Sequence, residues 1–445
     1  DLQPKYRQKL AYVPFNLAQP VWVDDAGFEI SHHITEHKAD KASLKAALEL
    51  AVSLSQSLLT RERPLWRMHL IKFGRKALLL HIVHHALLNG VSVGDDSQAL
   101  FDLKADVTPP QPADWQPQPA PTAMELMAQA IQDNTRTFSA ATGQLQRPDE
   151  QQSELLRRAT ESVTRFITEP VQAAPWNTGL VSAQRQLCVK EMRYADVRQI
   201  KRAMGGTEND VVLAIVGEAA ARYLGEHDHY REGRHLRIMC PVRIRREDSG
   251  GVRGNRISGI FPILNASPTD VVTRHQQVRW ETDSIRQSRE AQSLQLLVEL
   301  APPLPALPGN DWFSPGAFGS MFTNMGLNPA TFNPMRLLSQ LMPQSLAVGL
   351  GTQFTQVAGF NMSCVTVPGA QTTQYFAGAE VLQQLLIPAL AGNLGYAVAV
   401  TTYARSMNFC LVGDPKLIPD LPRMAELVEE VSKELVASAR SLAAA

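Results

Sequence analysis

In "ASLKAALELAVSLSQSLL", which starts at Ala42, apolar residues fall at Leu44, Leu48, Ala51, Leu54 and Leu58. Intervals of three and four predict an amphipathic helix whose stripe needs a sheet to cover. "PLWRMHLIKF" and "KALLLHIVHH" read as strands separated only by "GR", hence as a hairpin that ends at histidines. "HHALLNGVSVGDDSQALF" then reads as a turn running into a helix, with Asp95, Asp96 or Ser97 as cap. From Val107 to Pro121 the proline density excludes helix and central strand and predicts an extended surface linker. Helical patterning resumes in "TAMELMAQAIQDNTRTF" and "QSELLRRATESVTRFI", and "TEPVQAAPWNTG" reads as a loop.

Strand-like "RQLCVKEMRY" and helical "ADVRQIKRAM" open the second half. "GGTENDVVLAIVGEAAARYLGEH" is apolar almost all round, and Thr207 with Asp210 forms a capping-box pattern, so an interior helix is expected. "RHLRIMCPVRIR", "GNRISGIFPIL", "GFNMSCVTVPG", "QYFAGAEVLQQLL", "NLGYAVAVTTYA" and "MNFCLVGD" read as further strands, and "LPRMAELVEEVSKELVASARSL" as a closing amphipathic helix. The pattern gives mixed α and β in both halves: residues 1–145, a crossover over 146–186, and 187–445.

Composition narrows this picture. A chain of 445 residues exceeds what one core usually organises, which favours two domains or a pseudo-duplicated architecture. Lys+Arg and Asp+Glu both number 43, so no net basic field gathers nucleic acid phosphates, and none is expected as a partner. Cys188, Cys240, Cys364 and Cys410 lie far apart without CxxC spacing and read as reduced, buried thiols. The opening "DLQPKYRQKLAYVPF" lacks the order of a secretory signal, which agrees with a cytoplasmic setting. "LQQLLIPALAGNLGYAVAV" is broken by Pro388, Gly392, Asn393 and Gly395, so no bilayer span is expected.

Candidate chemistry concentrates in "HIVHHALLNG", residues 81 to 90. Three readings are open for His81, His84 and His85. His81 and His85 would share a helix face as metal ligands do, but the preceding leucines favour a strand and H-I-V-H-H carries no HExxH carboxylate; no metal is expected. A histidine pair can also simply satisfy buried hydrogen bonds. In the third reading one imidazole, with an ordinary pKa near about 6.5, stays neutral and takes a proton from an alcohol, while its neighbour turns inward, since adjacent strand residues face opposite ways.

The stretch resembles the HHxxxDG motif of the coenzyme A-dependent acyltransferases, shared by chloramphenicol acetyltransferase and peptide synthetase condensation domains. More closely, the chain resembles the bacterial wax ester synthase/diacylglycerol acyltransferase family. "PVWVDD" (Pro20 to Asp25), "PLW" (Pro64 to Trp66), "HHALLNG", "NDVVLA" (Asn209 to Ala214), "PVRIR" (Pro241 to Arg245), "GNRIS" (Gly254 to Ser258) and "VPG" (Val367 to Gly369) occur in the family's order. Members usually carry an opening segment of roughly fifty residues, about one small supersecondary unit, with an early LD motif, before the point where Asp1 stands.

The resemblance implies a two-domain chloramphenicol acetyltransferase-like architecture of the α/β (α+β) class. Each half is a mixed sheet covered by helices, and the active site lies in a channel between them. It implies transfer of a fatty acyl group from long-chain acyl-coenzyme A, as co-substrate, to a fatty alcohol or diacylglycerol, with no permanently bound cofactor. His85 is the implied general base and His84 the site-organising neighbour, followed by Asn89 and Gly90. Asn89 replaces the family's aspartate, whose arginine partner corresponds to Arg245; an amide keeps one acceptor but loses the charge and two-oxygen grip.

Asn209 and Asp210 either cap the interior helix or shape the site. Pro64, Leu65 and Trp66 stand near it, with Trp66 read as sheet core before substrate contact. Pro368 and Gly369 are expected in a turn beside the cleft, with Thr366 as a hydrogen-bond donor toward thioester or oxyanion. The methionine- and leucine-rich segment 314–351 fits either a lipid tunnel or ordinary core packing. Peripheral association with the inner membrane or lipid inclusions is expected, with a homodimer left open. The alternatives are an acyltransferase for another lipid or polyketide hydroxyl, and a lipid-binding or lipid-droplet protein that has lost catalysis through Asn89.

Overall fold

A computed structural model describes residues 4–18, 20–84, 87, 100–108, 111, 115–146, 150–169, 171–244, 256–293, 360–390 and 392–444. Among these residues the first half contains a three-stranded sheet in the order β3-β4-β5, made of Ile34–Lys38, Trp66–Phe73 and Lys76–Val83. β3 runs parallel to β4, and β4 antiparallel to β5, so the sheet is mixed. Phe73 pairs with Lys76 across the two-residue turn that the "GR" spacing predicts. Gly74 sits at φ 61, the left-handed conformation such turns require. Helix α1 (Leu44–Ser55), capped by the Ser43 hydroxyl, lays Ala47 and Ala51 on Ile71, Phe73 and Leu80. A separate two-stranded ribbon, β1 (Gln8–Ala11) with β2 (Val21–Asp24), adjoins helix α2 (Ala123–Gln146), where Val13 packs on Leu126 and Ala130.

Among the described residues the second half holds a seven-stranded sheet. Its strands are β6 (Gln186–Arg193), β7 (His235–Ile244), β8 (Arg256–Ile260), β9 (Ile263–Asn265), β10 (Met362–Val367), β13 (Tyr396–Tyr403) and β14 (Ser406–Gly413). The order is β6-β14-β13-β10-β7-β8, with β9 also on β7; the pairs of β10 with β13 and with β7 are parallel and the others antiparallel. Every residue of β13 is buried, which explains its nearly unbroken apolar run. Helices α4 (Tyr194–Met204), α5 (Glu208–Glu226), α6 (Val271–Ser288) and α7 (Leu421–Ala444) cover this sheet, and α5 buries Asp210 to Ala221 without interruption.

Helix α3 (Glu150–Thr168), within the crossover, attaches to the second half: Arg165 donates to Glu281 at 2.6 Å and Arg158 to the Gln287 carbonyl at 2.9 Å. Beyond it, Trp176 is fully buried and donates to the Asn361 carbonyl at 2.8 Å.

One expectation is corrected. "QYFAGAEVLQQLL" is no continuous strand: it forms a minimal hairpin, β11 (Tyr375–Phe376) with β12 (Ala379–Glu380), turned by Ala377 at φ 49 and Gly378 at φ 81. Two consecutive left-handed residues end the strand there. The chain then runs as an arm that reaches the first half. Tyr375 and Asp102 exchange backbone hydrogen bonds at 2.8 Å, Phe376 meets the Phe101 ring edge-on, and Ile387 packs against the cluster under α1. Helix α6 lies in a stretch that the hydrophobic pattern assigned to no element; Asp270 caps it by accepting from the Val272 and Thr273 amides. The helix predicted after His85 and the segment 314–351 lie outside the described residues.

Candidate functional site

β5 delivers the histidines. Its last residue, Val83, pairs with Trp66, and the next amide, His84 N–H, donates to the Leu65 carbonyl at 3.0 Å. Leu87 N–H then donates to the His84 carbonyl at 2.9 Å, which turns the chain out of the sheet. The strand therefore ends where the pattern predicts, pinned at its last step to the "PLW" segment. Pro64, Leu65 and Trp66 are all buried. Trp66 donates from Nε1 to the Tyr6 carbonyl at 2.8 Å and stacks on His33 at 4.4 Å between centroids, the core role expected of it. His85, Asn89, Gly90 and Arg245 lie outside the described residues.

His81 resolves into the second of its three readings. It faces the aromatic group of Tyr6 and Trp66 and shares a 3.3 Å hydrogen bond with the Tyr6 hydroxyl. Burial lowers its pKa from 6.5 to about 4, so at neutral pH it is an uncharged, partly buried residue. Among the described residues no group of three or more His, Cys, Asp or Glu side chains could hold a metal ion.

A stability prediction follows from His81. The unfolded imidazole titrates near 6.5 and the folded one near about 4, so between these values the unfolded chain binds more protons. Stability is full above about 6.5 and declines as pH falls toward about 4. Thermal unfolding of His81→Gln across that window is expected to show a shallower decline than the parent; His33 and His69, also lowered by burial, keep some slope.

The second half contributes the start of α5. Thr207 N–H donates to Asp210 Oδ2 at 2.7 Å while Asp210 N–H donates to Thr207 Oγ1 at 3.2 Å, a complete capping box. Asp210 is fully buried, and its other oxygen accepts from Thr282 Oγ1 at 2.8 Å, so its carboxylate is used in fixing α5 to α6. Asn209, one residue earlier, accepts the Thr366 hydroxyl at 3.2 Å and thereby joins the helix start to β10. The Thr366 hydroxyl, expected to serve thioester or oxyanion, is thus engaged with Asn209 in this structure.

After β10 the chain leaves the sheet at Pro368 and Gly369. Gly369 N–H donates to Thr402 Oγ1 at 3.1 Å, and a Cβ at this glycine would stand 2.0 Å from the Thr402 carbonyl oxygen, so only glycine fits. Sequence reasoning missed Thr282 and Thr402, which hold these candidate residues in place. Both act by tertiary contacts, 72 and 33 residues distant in the chain, that no local pattern signals.

The structure thus brings Leu65 to His84 in one half, and Asn209 to Thr366 in the other. The family description "wax ester synthase/diacylglycerol acyltransferase catalytic domain" matches residues 1–212, and its C-terminal domain matches residues 324–435. The chain belongs to this family. It is an acyltransferase by that membership. A Mycobacterium tuberculosis protein named as a diacylglycerol O-acyltransferase is 26% identical over 442 residues, covering 97% of this chain and 80% of the relative. Another from the same organism is 24% identical over 444 residues, covering 97% and 85%.

The wax ester synthase/diacylglycerol acyltransferase of Marinobacter aquaeolei superposes with a TM-score of 0.60 at 21% identity, over 98% of this chain and 86% of that one. The starter condensation domain of rhizomide synthetase follows at 0.51 and 12%, over 98% and 83%. These two likenesses establish the shared mixed α/β two-domain fold. The expected fold class is therefore borne out.

Proposed function

We propose that this family member moves a fatty acyl group from acyl-coenzyme A to a long-chain alcohol or diacylglycerol, with His85 as the general base. The observation that carries the reading is the end of β5: the strand stops at His84, pinned to Leu65, immediately before the motif's second histidine. His85 Nε2 or Nδ1 takes the acceptor hydroxyl proton as the oxygen attacks the thioester carbonyl. The tetrahedral intermediate collapses, the carbon–sulfur bond breaks, and the departing coenzyme A thiolate takes the proton back from the imidazolium. Hence the ester and free coenzyme A are the only products, and no separate nucleophile is consumed.

The site lies in a channel between residues 1–145 and 187–445 in this reading, and Gly90, Asn209, Pro368 and Gly369 shape it. The enzyme works in the cytoplasm at the inner membrane or at lipid inclusions, where acceptors of this kind reside. A competition assay with labelled acyl-coenzyme A and a mixture of hexadecanol, dioleoylglycerol and sugar lipids tests the acceptor class. Wax ester or triacylglycerol as the main product supports the reading, and acylation of the sugar lipid alone refutes it.

Asn89 supports a second reading, a catalytically weakened lipid-binding protein. A carboxylate at this position restores the charged partner that the family pairs with the arginine at Arg245. If that pair is buried, Asn89→Asp raises turnover by roughly 5- to 150-fold, the equivalent of about 1 to 3 kcal/mol. A rate within twofold of the parent would mean that asparagine suffices natively.

A further inference from the structure

We propose that two loops of the first half, tipped by Phe15 and Leu58, form a wedge that docks the enzyme on an anionic phospholipid surface. The proposal rests on the lipid-acceptor reading above and names the surface from which that acceptor is drawn. Phe15 is 85% exposed and Leu58 93%, in a protein that buries most large apolar side chains. Phe15 also holds φ 57 and ψ 16 inside the turn Pro14–Asn16, a left-handed conformation that is costly for a bulky residue. Strain that leaves an aromatic ring in water stabilises nothing within the chain.

Both loops are anchored at their bases. Val13 is buried against Leu126 and Ala130, and Leu17 N–H closes the turn on the Pro14 carbonyl. In the other loop Arg67 donates to the Ser57 carbonyl at 2.6 Å. The two meet where Arg61 Nη1 donates to the Tyr12 hydroxyl at 2.8 Å. Phe15 and Leu58 are each three residues from this joint, so each lies within about 11 Å of it along the chain.

Two isolated protruding side chains offer far less than the roughly 800 Å² that a stable protein partner covers. They suit insertion between acyl chains, with Tyr12 at the headgroup level. Arg61 and Arg63, with Glu62 between them, place two guanidinium groups and one carboxylate in the Leu58 loop, and guanidinium is the group that pairs with lipid phosphates. The same loop continues through Pro64 into Leu65, whose carbonyl holds His84. The surface-contacting loop therefore leads, within a few residues, to the histidine strand end.

The test is co-sedimentation of the purified full chain with phosphatidylcholine vesicles, with and without phosphatidylglycerol. The parent is expected to sediment with the anionic vesicles. Phe15→Asp combined with Leu58→Asp weakens this at least about tenfold, as expected for losing two inserted side chains. Arg61→Gln weakens binding to the anionic vesicles more than to neutral ones. Phe15→Gly removes the φ strain with the ring, so it keeps or raises the unfolding temperature while still reducing vesicle binding; a purely structural role would lower both.

Transfer to a water-soluble short-chain alcohol stays at the parent rate in the double variant, whereas transfer to vesicle-borne dioleoylglycerol falls. A parent that stays in the supernatant, or a double variant that sediments like the parent, overturns the proposal. Vesicle binding lost as predicted, with no ester made from any acceptor by the parent, would instead refute the acyl-transfer reading and leave the docking surface standing.

Discussion

Replacing His85 by alanine lowers the rate of ester formation from labelled acyl-coenzyme A by about 10² to 10⁴-fold, the usual contribution of a positioned general base. An alcohol hydroxyl is a poor nucleophile at neutral pH, and an uncharged imidazole is the side chain whose ordinary pKa lets it take the proton there. Because β5 and its register with β4 are complete by Val83, the substitution leaves the sheet intact and the unfolding temperature close to that of the parent. His84→Ala differs in kind: it keeps the backbone bonds to Leu65 and Leu87, and because the family motif gives this side chain a site-organising role, a loss of stability is expected beside a partial loss of rate. Parent-like turnover in the His85 variant would remove the base from the mechanism.

Arg274→Met is expected to destabilise the second half by about 3 to 5 kcal/mol, the usual cost of removing one partner from a buried ion pair. Arg274 and Glu218 are both fully buried, and the guanidinium Nε donates to Glu218 Oε2 at 2.9 Å. Its remaining nitrogens serve the carbonyls of Asn265 and Ser267 and the Gln277 side chain. Without it those carbonyls lose their donor and Glu218 keeps only Arg222 and the Thr269 amide. For a unit of this size the unfolding temperature falls by about 10 °C. A change of less than about 2 °C would show that the pair contributes little to the packing of α6 on α5.

The elements that were legible were those whose packing face is apolar. The capping box and unbroken apolar body of α5 announce a buried helix, and the apolar runs of β13 and β14 announce central strands. Helix α6 was hidden because its buried face includes Arg274, His275, Glu281 and Thr282, which read as solvent-facing when no partner is in view. The segment from β11 onward was misjudged for a related reason: apolar residues such as Ile387 serve contacts with the other half, and the hairpin before them turns on left-handed residues at Ala377 and Gly378.

At the site, the chain pattern located the end of the strand before the histidines. Long-range pairing decided what it could not reach: Thr366 to Asn209 spans 157 residues, and His81 joins an aromatic group only because Tyr6 lies beside the sheet. His85, Asn89, Gly90 and Arg245 rest on the motif and the family match alone.

Expression in a host that makes no storage lipid of its own measures the central claim most directly. The parent chain should cause wax ester or triacylglycerol to accumulate, and the His85→Ala chain, produced to the same level, should not. Neutral lipid appearing equally with both, or with neither, would contradict ester synthesis driven by this histidine.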